Sequence, residues 1–234
     1  MFRSMKVLVV IPARGGSKGI IKKNIKVLHG KPLIQYTIDE SKKSLYIDDI
    51  VVSTDDKAIS KVSKDLGVKV IDRPDNFSGD KALVVDALRY TLDELGKEGL
   101  LYDIVLLLEP TSPLRTSHII DECIEKFKDP NVKNVVTFSE TSVPPDRIWK
   151  IDLNGIEPYI KGANPWLPRQ ELNEGYQLNG LVYALDISNF NAMKDSHTIL
   201  NGEITPVITP KEISIDIDDM LDFKMVEFLM KDNG

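Results

Sequence analysis

The sequence contains little cysteine and little histidine, and each shortage excludes a kind of chemistry. A single cysteine, Cys123, cannot form a disulfide within the chain. Because Cys123 lies among isoleucines at helical spacing, we expect a buried structural thiol and not a nucleophile. The three histidines are scattered along the chain without the spacing of metal ligands, which argues against zinc chemistry.

Long apolar runs and an excess of basic residues are also lacking. The longest apolar runs are about five residues, too short to cross a bilayer. Residues 1–5 lead into a strand pattern and not into the hydrophobic region of a signal peptide, so we expect a cytoplasmic protein without a membrane partner. The net charge of −6 disfavours nonspecific binding of nucleic acid. A length of 234 residues suffices for one domain, 1–234, with a sizeable core.

The most informative stretch is an apolar run followed by a basic, glycine-rich loop. Residues 7–11 are apolar and mostly β-branched, as in a fully buried strand. The next residues combine glycine with cations, in the order Arg14, Gly15, Gly16, Ser17, Lys18, Gly19, Lys22 and Lys23. Glycines allow the backbone to approach a ligand closely, and cations attract polyphosphate, so the loop predicts a nucleotide triphosphate site.

Two common phosphate loops do not fit this spacing. A Walker loop requires Lys and Ser or Thr directly after its last glycine, where this chain has two isoleucines. A dinucleotide fingerprint requires glycine at position 14, where this chain has Arg14. The remaining alternative is an ordinary strand-to-helix turn with solvated charges.

Strand and helix patterns alternate through the first 140 residues. Strands are expected at 7–11, 49–53, 68–71, 104–108 and 132–138, and helices at 33–43, from 55 onward, at 80–95 and at 117–128. This alternation predicts an α/β fold with a doubly wound, mostly parallel sheet. Residues 177–185 then return to the sheet, and a helix containing Leu221 ends the pattern.

Residues 139–176 differ from the rest of the chain. They contain five prolines and both tryptophans and lack a long periodic helix. Because proline is disfavoured in central strands, we expect an arm or small subdomain outside the main sheet. Its aromatic residues suit burial against another subunit, and the alternative is an excursion that folds back on its own chain.

Asp216 and Asp218 form a pair with metal-binding chemistry. They are separated by one residue in an extended segment, so both carboxylates point to one face while Ile215 and Ile217 point to the other. Paired carboxylates after a strand suit Mg²⁺, which shares its oxygen ligands with substrate phosphates. The alternative is a set of acidic residues at a helix N-terminus, which we prefer for the neighbouring Asp219 and Asp222.

These motifs together resemble one enzyme family. The stretch 14–19, followed by Lys23 and Asn24, resembles the nucleotide-binding signature of the acylneuraminate cytidylyltransferases, the CMP-sialic acid synthetases. Residues 109–115 are similar to the family sequence Gln-Pro-Thr-Ser-Pro-Leu-Arg, with Glu109 in place of glutamine. Residues 169–172 and 179–183 are similar to its sugar-binding stretch, and the Asp-Ile-Asp pattern of 216–218 is similar to its metal site.

The resemblance implies a reaction and a set of site residues. It implies a nucleotidyltransferase fold whose arm forms a homodimer, with CTP and an acidic nine-carbon sugar as substrates and CMP-sugar and pyrophosphate as products. The catalytic residues would be Arg14, Lys18, Lys23, Asp216 and Asp218, of which the two aspartates would bind Mg²⁺. The nucleotide would contact Ala13, Arg14, Gly15, Ser17, Lys18, Lys23, Asn24, Arg73 and Asp80. The sugar would contact Glu109, Arg169, Gln170, Asn179 and Tyr183.

The acceptor sugar and the class of protein stay open. Arg169 suits the sugar carboxylate, which a guanidinium binds with two parallel hydrogen bonds. The carboxylate of Glu109 would repel an acidic sugar unless it bonds a hydroxyl or amine or helps to hold metal, which points away from the commonest substrate. N-acetylneuraminate, a di-N-acetyllegionaminate-like sugar and a pseudaminate-like sugar all stay open. The alternatives are an octulosonate-type CMP-sugar synthetase and a non-catalytic nucleotide-binding module. A hydride-transferring oxidoreductase is disfavoured by Arg14.

Overall fold

The computed structural model describes residues 5–74, 77, 79, 82–153, 155–193 and 197–232. The strands are β1 (Val7–Pro12), β2 (Val27–Leu28), β3 (Lys31–Pro32), β4 (Asp49–Thr54), β5 (Lys69–Asp72), β6 (Ile104–Leu107), β7 (Asn134–Glu140), β8 (Trp149–Asp152), β9 (Gly155–Pro158), β10 (Tyr176–Asp186) and β11 (Thr205–Ile208). The helices are α1 (Leu33–Lys43), α2 (Lys57–Asp65), α3 (Val84–Lys97), α4 (Ser117–Glu125), α5 (Ile187–Asn191) and α6 (Met220–Asp232).

A seven-stranded sheet in the order β11-β7-β10-β6-β1-β4-β5 forms the centre of the molecule. Strand β10 runs antiparallel to β6 and β7, and the remaining pairs are parallel. The chain starts at β1, moves outward through β4 and β5, and then crosses to β6 on the other side of β1. The predicted mostly parallel α/β fold is therefore confirmed, and its topological switch point lies between β1 and β6.

Both faces of the sheet are covered, which explains the unbroken apolar run of β1. Val9 and Ile11 pack into one cluster with α1 and α4, and Leu8 and Val10 pack into a second cluster with α3. These four side chains are completely buried. A third cluster joins Ile20 of the basic loop to the end of the chain through Leu28, Leu33, Ile217, Phe223 and Val226.

Two helix boundaries differ from the sequence prediction. Helix α3 begins at Val84 and not at position 80, because Leu83 adopts an extended conformation with φ −82° and ψ 144°. Helix α4 ends at Glu125 and continues as one tighter 3₁₀ turn through Lys128. No helix in the described part of the chain has both the length and the apolar character that crossing a membrane requires.

Residues 141–175, which we call the arm, leave the main sheet between β7 and β10. Strands β8 and β9 pair with each other in a separate two-stranded sheet. The base of the arm is closed by a hydrogen bond from the Thr141 N–H to the Gly175 carbonyl (2.8 Å) and by buried Asp146, which accepts two hydrogen bonds from Asn173. The arm exposes large apolar side chains, among them Ile151, Leu153, Ile156, Tyr159 and Trp166.

Candidate active site

An open cleft of about 480 Å³ lies at the carboxyl ends of β1, β5 and β6. This is the switch point of the sheet, where open α/β folds place their ligands. The described residues that line the cleft are Pro12, Arg14, Ser17, Lys18, Gly19, Lys23, Asn24, Arg73, Phe77, Gly79, Ala82, Leu83, Val84, Glu109, Pro110, Thr111, Asp216 and Asp218. The cleft therefore brings together residues that lie at opposite ends of the chain.

The basic loop, residues 13–24, forms the centre of the cleft. Its Arg14, Ser17, Lys18 and Lys23 line the cavity. The side-chain amide of buried Asn24 donates to the Arg14 carbonyl (3.0 Å) and so fixes the fold of the loop. Asn24 lines the cleft as well, so the structure gives it a supporting role in addition to the predicted nucleotide contact.

A carboxylate outside the loop ties it to the end of β5. The Asp55 Oδ1 accepts from the Gly15 N–H (3.0 Å) and lies 3.8 Å from the Arg73 guanidinium. Burial lowers the pKa of Arg73, and the positive charge of nearby Arg14 lowers it further, while Asp55 opposes the shift. Two guanidinium groups that repel each other beside an open cleft favour the binding of an anion between them.

The acidic segment, residues 214–219, packs directly on the basic loop. The Ile217 side chain is buried in the third cluster, whereas Asp216 and Asp218 face the cleft. The backbone of Ile217 accepts from Lys23 Nζ (2.7 Å) and donates to the Thr111 carbonyl (2.9 Å). Lys23 Nζ also lies 3.6 Å from the Asp218 carboxylate. Lys23 is thus a structural link between the cationic and acidic parts of the site.

The backbones of the two parts touch at Gly19. A Cβ atom added at Gly19 would lie 2.3 Å from the backbone oxygen of Asp218, far inside any real contact. Only glycine permits this approach. The relative position of the basic loop and the acidic segment is therefore fixed by backbone packing as well as by Lys23.

The carboxylates of the cleft are held close together in a partly desolvated place. Burial raises the pKa of Asp216, and the charge of Asp218 adds to the shift, while a hydrogen bond from Thr111 opposes it. Burial also raises the pKa of Glu109, followed by repulsion from Asp216. Such a group of carboxylates gains stability from a cation. No set of three or more His, Cys, Asp or Glu side chains among the described residues is arranged to hold a metal ion.

The predicted sugar-binding residues fall into two groups. Glu109 lines the cleft. Burial raises the pKa of Tyr183, and the charges of nearby Glu109 and Asp216 raise it further. Asn179 is buried, and its amide donates to Thr209 Oγ1 (2.7 Å) and to Ser214 Oγ (3.2 Å). Arg169 and Gln170 are exposed on the arm, in a short 3₁₀ turn that does not line the cleft in the described structure.

The predicted nucleotide-binding residues also differ in their positions. Ala13 is completely buried, and its N–H donates to the Ser53 carbonyl (2.9 Å), so this residue belongs to the core. Asp80 lies outside the described residues. The roles predicted for both residues stay predictions, whereas Arg14, Ser17, Lys18, Lys23, Asn24 and Arg73 meet in the cleft.

Sequence reasoning missed three components of the site. Asp55 and Asp56 were both expected at a helix N-terminus, and the structure gives that role to Asp56, whose carboxylate accepts from the Ala58 and Ile59 N–H groups, whereas Asp55 bonds the basic loop. The apolar wall formed by Phe77, Leu83 and Val84 was not foreseen, because Leu83 was expected inside the helix at 80–95 and not in the extended segment before it. Completely buried Arg115 was noticed only as part of a motif.

Comparison with known proteins gives matches over most of the chain. A family model described as cytidylyltransferase matches residues 8–152. The N-acylneuraminate cytidylyltransferase of Streptococcus agalactiae serotype V is 34% identical over 221 residues, which cover 94% of this chain and 52% of that protein. The CMP-N,N'-diacetyllegionaminic acid synthase of Legionella pneumophila is 33% identical over 233 residues, 98% of each protein. The chain thus spans about half the length of the streptococcal relative.

A solved structure shows the same fold. A CMP:2-keto-3-deoxy-manno-octonic acid synthetase complexed with CTP superposes with a TM-score of 0.71. The match covers 98% of this chain and 100% of that one, at 19% sequence identity. At this level of identity the likeness establishes a common architecture for the two proteins.

Proposed function

The chain belongs to the cytidylyltransferase family, as the resemblance of its motifs implied, and from this premise we propose that it transfers CMP from CTP to an acidic nine-carbon sugar. The products are a CMP-sugar and pyrophosphate. One observation carries the proposal. The cleft at the switch point joins the cations of the basic loop to Asp216 and Asp218, through the Lys23 hydrogen bond and the Gly19 contact.

The nucleotide occupies the part of the cleft between β1 and β5. Its triphosphate binds the positively charged side chains of Arg14, Lys18 and Arg73, which line the cleft. Its base and ribose lie against the apolar wall of Phe77, Leu83 and Val84. These contacts supply what a nucleoside triphosphate requires, namely charge for the phosphates and an apolar surface for the ring.

The donor set fits one Mg²⁺ ion. Asp216 and Asp218 offer two carboxylates, and Mg²⁺ is commonly bound by one or two carboxylates together with substrate phosphates and water. The ion would neutralise negative charge on the phosphates during transfer. Lys23 positions this carboxylate pair by holding the Ile217 carbonyl.

The reaction requires positioning and charge stabilisation more than covalent help from the protein. The anomeric hydroxyl of the sugar forms a bond to the α-phosphorus of CTP, and the bond from this phosphorus to the β-phosphate bridging oxygen breaks. Pyrophosphate departs, and the hydroxyl proton is released to solvent. The loop cations stabilise the charge that develops on the phosphate oxygens. Because these cations are already in place, they need not rearrange during the reaction.

The acceptor sugar occupies the part of the cleft near β6 and β10. Glu109 lines this part of the cleft, and Tyr183 lies near Glu109 and Asp216. The names of the two relatives, an N-acylneuraminate cytidylyltransferase and a CMP-diacetyllegionaminic acid synthase, support a nonulosonic acid. Glu109 accepts a hydrogen bond from a hydroxyl or amide of this sugar.

The protein acts as a homodimer in the cytoplasm, where CTP is available. The support for a dimer is the apolar surface of the arm, where Leu153, Trp166 and Ile151 are among the most exposed side chains. Apolar surface of this kind marks an interface. In the dimer, Arg169 of the arm is available to bind the sugar carboxylate in the site of a second copy. Light scattering coupled to size exclusion tests the state of association, and a monomer at all concentrations would contradict it.

The proposed activity is tested by measuring pyrophosphate release from CTP in the presence of Mg²⁺ and of each sugar in a panel of acid sugars. The panel contains N-acetylneuraminate, di-N-acetyllegionaminate, pseudaminate and 3-deoxy-octulosonate. Release with a nine-carbon acid is the expected result. Release with the octulosonate alone would replace the acceptor by an eight-carbon acid, and CTP binding without any release would indicate a nucleotide-binding module.

A further inference from the structure

Arg115 is a buried cation directly beneath the cleft. Its side chain is among the largest that are completely buried. Its Nε donates to the Leu181 carbonyl, its Nη1 to Thr37 Oγ1 (3.0 Å), and its Nη2 to the Glu109 carbonyl (2.7 Å). The planar fork of one guanidinium thus joins helix α1, strand β10 and the second residue after β6.

The acceptors of Arg115 are neutral oxygens. No carboxylate in the described structure forms an ion pair with it, although a buried charge without a partner is costly. The anions that act on Arg115 from a distance are Glu109 and Asp216, and both face the cleft. The positive charge of Arg115 therefore attracts the carboxylates that line the cleft and is not neutralised by an ion pair among the described residues of the core.

The Glu109 backbone is held on two sides. Its carbonyl accepts from Arg115 Nη2 and also from Thr37 Oγ1 (3.3 Å), which itself accepts from Arg115. The Glu109 carboxylate has no hydrogen-bond partner among the described residues, and it lies beside Gly180, where a Cβ would be 3.9 Å from Oε2. Gly180 has φ +71°, a conformation that glycine adopts without strain.

We propose that Arg115 and Thr37 are positioning residues that hold Glu109 at the acceptor end of the cleft and thereby set the affinity for the acceptor sugar. Neither residue lines the cleft. This inference rests on the proposed function, because it takes the acceptor sugar to be the hydrogen-bond partner of the Glu109 carboxylate. A preorganised carboxylate binds a hydroxyl or amide donor without losing its own freedom on binding.

The substitution Thr37→Val tests the network with little change in shape. Removing the hydroxyl should raise KM for the acceptor sugar about fivefold, the size of one hydrogen bond, and leave the Kd for CTP within about twofold. Thr91→Val is the matched control, because Thr91 is also a buried helical threonine, bonded to Ser53 (2.9 Å) on the opposite face of the sheet. The control should lose stability to a similar degree without a change in KM.

Equal KM values for the two valine variants would overturn the proposal. So would a parallel loss of CTP and sugar affinity in Thr37→Val, because a merely structural role would weaken both ligands. A wild-type protein that releases no pyrophosphate with any acid sugar would instead refute the proposed function.

The second variant gives a readout that does not depend on turnover. Arg115→Lys keeps the positive charge but loses the fork that reaches three acceptors. A crystal structure of this variant should show the Glu109 carboxylate displaced by about 1 Å or more, the scale at which misplacement affects catalysis. An unmoved Glu109 would overturn the positioning role whatever the wild-type activity.

Discussion

Gly19→Ala is the perturbation that tests most directly how the site is assembled. The added Cβ would fall about 1 Å short of ordinary van der Waals contact with the backbone oxygen of Asp218. The added Cβ meets a backbone oxygen and not the end of a flexible side chain, so a rotamer change cannot relieve the collision. The basic loop and the acidic segment must separate.

The size of the effect follows from this separation. Displacing reacting groups by about 1 Å costs roughly 100-fold in rate, so kcat should fall by about this factor. Overpacking of a filled site costs about 1–3 kcal/mol of folding free energy, which lowers Tm by several degrees and leaves the protein folded at 25 °C. The Kd for CTP should change less than kcat, because Arg14, Lys18 and Arg73 lie outside the collision.

Gly16→Ala is the matched control in the same loop. A Cβ at Gly16 meets no atom within 4 Å, and the residue is exposed. Pyrophosphate release, CTP binding by calorimetry and thermal unfolding are measured for both variants. Wild-type kcat in Gly19→Ala, or an equal loss in Gly16→Ala, would refute the idea that close backbone contact aligns the two halves of the site.

Three further substitutions test individual charges. Lys18→Ala should lower kcat/KM for CTP at least about tenfold while the protein stays folded, since a loop cation stabilises phosphate charge, and wild-type kinetics would remove Lys18 from the site. Asp216→Asn combined with Asp218→Asn should abolish the Mg²⁺ dependence of CTP binding, and a retained dependence would place the ion elsewhere. Glu109→Gln should raise Tm at pH 7 in metal-free buffer. Burial raises the pKa of Glu109, so ionisation opposes folding, and the gain should shrink as pH falls through the folded pKa toward the ordinary carboxyl range. An equal gain at pH 7 and pH 4 would contradict this origin.

Local patterns predicted the parts of the site that depend on adjacent residues. The apolar run of β1 and the density of glycines and cations behind it located the strand and the loop. The alternation of the acidic segment also held, because Ile217 is buried while Asp216 and Asp218 face the cleft. The helix acids were assigned correctly, since the carboxylate of Asp219 accepts from the Leu221 and Asp222 N–H groups.

Features that depend on contacts between distant residues could not be predicted from the sequence. The Lys23 hydrogen bond to Ile217 joins residues 194 positions apart, and no pattern within either segment contains it. Asn179 carries an amide that could bind sugar hydroxyls, yet this amide donates to the hydroxyls of Thr209 and Ser214 in a later segment. The late start of α3 follows from the extended backbone of Leu83, which a periodicity of leucines does not report.

The third hydrophobic cluster determines when during synthesis the site becomes complete. All strands of the main sheet precede position 209, so a growing chain that has emerged to this point has the sequence for the whole sheet and for the basic loop. Ile217, Phe223 and Val226, which pack on Ile20 of the loop, are still to come. The nascent protein therefore acquires the cations of the basic loop before its acidic pair, and the loop can pack as in the structure only after residues 217–226 have been made.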